Sequence, residues 1–108
     1  MTAAASSGLA AFPKEFVKSG WTHQQIERQG NVAIYKRWRE GKQGFAREEH
    51  YEVIVIQQRP AHDFKGKRYP ATERYPSSSQ WGDIGWTILD RGKALEKFNQ
   101  IAHSHRNV

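Results

Sequence analysis

At 108 residues the chain has material for one domain, and a two-domain enzyme carrying its own cofactor domain is excluded. It has no Cys, which excludes a disulfide scaffold, a thiol nucleophile and a thiolate metal site. Lys and Arg number 17 against 11 Asp and Glu, a formal charge of +6, and 37% apolar residues fit neither a membrane protein nor a wholly disordered one.

The first stretch, residues 1 to 12, is rich in small side chains and reads as a flexible tail without a secretory signal, so a cytoplasmic location is expected. Phe12, Phe16 and Val17 then fall at helical spacing, and between Pro13 and Gly20 one or two helical turns fit. From Trp21 the period changes to two. Thr22 to Arg28 reads as a polar edge-type strand, a candidate for pairing with a second copy of the chain. Gln29-Gly30-Asn31 supplies a turn.

Val32 to Arg39 alternates, with Val32, Ile34, Lys36 and Trp38 on one face and Ala33, Tyr35, Arg37 and Arg39 on the other. After the Glu40 to Gly44 turn, a strand from Phe45 to Gln58 carries β-branched residues on both faces, as a strand covered on both sides does. Residues 59–80 hold Pro60, Pro70, Pro76 and a Ser77-Ser78-Ser79 run. They read as a long loop, of which Lys67 to Arg74 is suited to a short edge strand. Gly82 to Leu89 is the last strand, and Asp90 is placed to cap a helix from Arg91 to about His103 whose Leu95, Phe98, Ile101 and Ala102 share one side. Residues 104–108 read as a C-terminal tail. The expected architecture is α+β: a small antiparallel meander of about four strands in a single domain, 13–103, with the C-terminal helix packed on one face.

No catalytic, cofactor or metal constellation emerges. His103 and His105 stand two apart, which points them away from each other on a helix, and no third ligand lies near. Glu48 and His50 share a strand face without a nucleophile, and a solvated strand end facing Arg or Lys is expected there. The serine run is not a nucleophile elbow, and the glycines form no phosphate-cradling loop. A non-enzymatic protein is therefore expected.

Positive charge is the stronger signal. Residues 36–47 hold Lys36, Arg37, Arg39, Lys42 and Arg47 against Glu40. Residues 59–74 hold Arg59, Lys65, Lys67, Arg68 and Arg74 against Asp63 and Glu73, and aromatic residues interleave both. A cationic surface with planar side chains suits a phosphate backbone with stackable bases. Arg37, Arg39, Lys42 and Arg47, with Lys65, Lys67 and Arg68, are the expected phosphate contacts. Tyr69, Trp81 and Trp86 are the expected stacking residues. The alternative is a protein-interaction module, an inhibitor or adaptor, using the 59–80 loop with Trp81 and Trp86.

Trp81-Gly82-Asp83-Ile84-Gly85, followed by Ala94-Leu95-Glu96-Lys97-Phe98, faintly resembles the WGR domain, whose Trp-Gly-Arg-Ile-Gly strand precedes an Ala-x-x-x-Phe helix and which binds DNA. Asp83 stands where that family has arginine, and the helix begins directly after Leu89. The wider layout is similar to small uncharacterised proteins of bacteriophages and prophages: Gln29 to Tyr35, Tyr51-Glu52-Val53, Tyr75-Pro76, Trp81-Gly82, Gly85-Trp86-Thr87 and Ala94 to Phe98. That resemblance implies an accessory or regulatory binding protein.

Overall fold

The computed structural model describes residues 12–106. In chain order the strands are β1 (Glu15–Lys18), β2 (Trp21–Gln29), β3 (Val32–Arg39), β4 (Glu48–Val55), β5 (Gln57–Arg59), β6 (His62–Phe64), β7 (Lys67–Tyr69), β8 (Thr72–Arg74) and β9 (Gly85–Ile88). A 3-10 turn, Ser78–Gln80, precedes β9, and helix α1 (Arg91–Arg106) ends the described chain. The expected α+β class is correct: β1-β2-β3-β4-β9 form one antiparallel sheet, and α1 lies on one of its faces.

The short apolar run before Trp21 is a strand rather than helical turns. Ser19 and Gly20 adopt left-handed φ of 54° and 82°, a two-residue hairpin turn that folds Phe16 and Val17 back onto His23 and Thr22. Four residues gain more from that ladder than from a helix too short to nucleate. In consequence β2 is interior, and the edge expected to pair with a second copy is occupied by β1.

Period-two alternation distributes the core between two faces. On the helix face, Val32, Ile34, Tyr51 and Val53 pack against Ala94, Phe98 and Ala102. Asp90 caps α1 as expected: its Oδ2 accepts from the Lys93 N–H at 2.8 Å. Asp90→Ala is expected to lower stability by about 1 kcal/mol, read by urea titration, because it strands a donor at the helix start. The helix runs to Arg106, beyond the expected end near His103.

The opposite face is closed by rings. Ala33, Tyr35, Ile54 and Ile56 are buried beneath Phe12, Phe16, Tyr75 and Trp81. Phe12 thus belongs to the packed domain; the rest of the expected tail, 1–11, lies outside the described residues. Phe16 stacks on His23 at 4.4 Å between centroids and meets Tyr35 and Tyr75 edge-on.

The 59–80 segment is not one long loop. β5 pairs with β8 and β6 with β7, so residues 57–74 are a two-stranded ribbon continuing from the end of β4. Pro60 and Pro70 stand at the gap between the two ladders, where a missing N–H costs no strand pair. Lys65 and Gly66, with φ of 52° and 78°, turn the tip. At the base, Arg28 on β2 grips Glu73 bidentately at 2.6 and 2.7 Å, and Glu73 also accepts from the Phe12 N–H. The Arg28 guanidinium holds the Glu73 carboxyl below its usual range.

Candidate functional site

The ribbon and a cleft on the ring-bearing face of the sheet concentrate the polar chemistry. Cross-strand pairing of His62 with Tyr69 and Phe64 with Lys67 places these four side chains on one ribbon face. The His62 and Tyr69 rings stack at 5.1 Å, and Phe64 is 57% exposed. With Arg59 and Thr72 from the second ladder they line a hollow of about 400 Å³. Lys65 and Lys67 lie 5.4 and 5.5 Å from the Phe64 and Tyr69 ring centres. Arg68 is on the other face with Asp63, at 3.3 Å. Around the ribbon tip, three cations stand against that one carboxylate.

The cleft, about 360 Å³, lies over β2, β3, β4 and β9. At its floor is Glu52, 5% exposed in the middle of an otherwise apolar stretch of β4. Its Oε1 accepts from the Tyr75 hydroxyl at 2.6 Å and lies 3.5 Å from His23 Nε2. Its Oε2 faces Arg37 Nη1 at 3.3 Å and the Thr87 hydroxyl at 3.4 Å. Burial pushes this carboxyl up, but the His23 and Tyr75 hydrogen bonds and the Arg37 charge outweigh it, and the net direction is down. The Tyr75 phenol is pushed far up, first by burial and then by the adjacent carboxylate, so it stays a donor. His23 Nδ1 faces the Trp21 carbonyl at 3.1 Å, which fixes the ring between that carbonyl and Glu52.

Two tryptophans wall the cleft. Arg37 and Arg39 lie 4.2 and 4.5 Å from the Trp21 ring centre. Trp81 is set by the 3-10 turn and by Gly82, whose φ of 92° permits the tight return in which its N–H donates to the Gly85 carbonyl. The indole lies flat on Gly85, where a Cβ would come within 2.6 Å of the ring, and its Nε1–H donates to Thr87 at 2.9 Å. Lys18 at the end of β1, Ser19 from the β1–β2 turn, Pro76 and Ser78 complete the lining.

The ten expected contact residues therefore fall in several places rather than one patch. Arg37, Arg39 and Trp81 are on the cleft face, and Lys65, Lys67, Arg68 and Tyr69 are on the ribbon. Trp86 is on the helix face, with Lys97 over its ring at 4.4 Å. Arg47 is over Trp38 at 4.7 Å, on the same side as Lys36. Lys42 is exposed in the β3–β4 connection. Alternation forces this separation: neighbouring strand residues face opposite ways. Carboxylates also engage several cations: Glu48 holds Arg39 at 2.6 Å, and Glu49 holds Lys36 and Arg47 at 3.6 and 3.4 Å. The expected solvated strand end at Glu48 and Glu49 is what the structure has.

His23, Glu52, Tyr75 and Thr87 are not among the contact residues to which the sequence pattern points. The available signal was Glu52 itself, because a carboxylate inside a buried apolar run requires cationic or hydrogen-bonding partners. No family model, curated protein or solved structure matches the chain. Among the described residues no His/Cys/Asp/Glu group could hold a metal ion, and no helix is long and apolar enough to cross a membrane.

Proposed function

We propose that the protein is a nucleic-acid-binding accessory protein that contacts strands with unpaired bases through the 57–74 ribbon. One observation carries this reading: the ribbon sets Phe64 and the stacked His62–Tyr69 pair on one face, rimmed by Lys65 and Lys67. Rings exposed beside cations suit bases that stack while their phosphates are neutralised. Cations engaged by Glu48, Glu49 and Glu52 on the sheet are less available for phosphates.

The test is a fluorescence-anisotropy titration with single-stranded and duplex oligonucleotides across a salt series. Single strands are expected to bind more tightly than duplex. The triple variant K65A/K67A/R68A is expected to flatten the slope of log K against log salt by about 2, since each phosphate contact to a single strand contributes about 0.7. Phe64→Ala is expected to weaken single-strand binding about tenfold while leaving that slope unchanged. Absence of binding at low salt rejects the reading. Recovery of a protein partner after nuclease treatment, lost on Phe64→Ala, would instead favour the adaptor alternative.

A further inference from the structure

We propose that the cleft over Glu52 is a second site, independent of the ribbon, that takes one nucleotide: a planar base against Trp81 and its phosphate at Lys18. Charge sets the sign of the ligand. Glu52 is nearly inaccessible, and its two oxygens already face His23, Tyr75, Arg37 and Thr87, so it has no room to receive a ligand cation. Arg37 is balanced by that carboxylate, and the remaining lining charge, Lys18, is positive and exposed. An anion is therefore the complementary group.

Shape sets the class. The walls are the Trp21, Trp81 and Tyr75 rings with Pro76, which favour a flat aromatic body. Trp81 is pinned by Gly85, by its Thr87 hydrogen bond and by the near-parallel Tyr75 ring at 6.4 Å, so a base meeting it finds the indole already ordered. Ser19 and Ser78 also line the cleft, and such hydroxyls suit a sugar phosphate and would be unused by a simple aromatic acid. About 360 Å³ lies at the small end of ligand sites, enough for one nucleotide and too little for a run of them. The same chemistry comes from a free nucleoside monophosphate or from the terminal or unstacked nucleotide of a bound strand.

The experiment is calorimetric titration of the full chain with AMP, adenosine and inorganic phosphate, alongside Trp fluorescence. AMP is expected to bind with a Kd of about 1 mM or tighter and to quench fluorescence, and adenosine and phosphate alone to bind at least about tenfold more weakly. Lys18→Glu, at the exposed end of β1, is expected to weaken AMP about tenfold, and Trp81→Leu to abolish the quench. K65A/K67A/R68A should leave AMP binding unchanged, so failure of the ribbon reading and failure of this one are distinguishable. If Lys18→Glu also weakens a 5′-phosphorylated single strand and AMP competes with that strand, the source is a strand nucleotide. If only AMP is affected, the source is the free nucleotide. Absence of AMP binding, or AMP binding that Lys18→Glu and Trp81→Leu leave intact, overturns the proposal.

Discussion

Glu52→Gln is expected to lower folding stability by about 3 kcal/mol, measured by urea or thermal unfolding at neutral pH. The substitution keeps the shape but removes the charge that faces Arg37 at 3.3 Å and His23 at 3.5 Å. Breaking a buried pair costs about 3–5 kcal/mol because it leaves the partner charge uncompensated. The lower end applies here because the Arg37 side chain retains 22% exposure. Adding Arg37→Met to the Gln variant is expected to return part of the loss, since no unpaired cation then remains. A Gln variant within about 0.5 kcal/mol of the parent would show that the network is not stabilising.

The same group sets an acid dependence. Glu52 and Glu73 both have their carboxyls lowered in the folded protein. Their contribution is complete above the unfolded carboxyl range and is lost as pH falls through the depressed folded values. The parent is therefore expected to lose stability from about pH 4.5 downward. The Gln variant should lose it less steeply, with Glu73 still contributing.

Phe98→Ala is expected to cost about 3–5 kcal/mol, the range for emptying a buried aromatic site. Phe98 is 1% exposed and sits between Ala94 and Ala102 on α1, facing Val32, Ile34 and Val53 across the sheet. The flanking alanines bring the helix close to the strands, and their short side chains cannot fill the space left behind. Thermal unfolding should shift down by at least about 12 °C for a domain of this size. The proposed ribbon binding, at temperatures where the variant stays folded, should be unchanged, because the ribbon shares no residue with this cluster. A loss below about 1 kcal/mol would mean that α1 is not held by this contact.

Local pattern determined the elements whose information is local. Val32 to Arg39 alternates strictly, Asp90 sits one residue before an amphipathic run, and Gly30-Asn31 follows a polar strand; each fixes its own conformation over a few residues, and the sheet-and-helix class follows. What alternation alone could not supply were the long-range partners. The 57–74 ribbon depends on Gln57 meeting Arg74 and on Arg28 reaching Glu73 across 45 positions of chain. Likewise Phe16 becomes a strand residue only because β2 is there to pair with it. The candidate sites divide in the same way. Lys65, Lys67, Arg68 and Tyr69 were legible because they crowd one short segment. His23, Arg37, Glu52, Tyr75 and Thr87 come from five separate segments, and only the antiparallel register and the return of residues 75–87 over the sheet bring them to a single carboxylate.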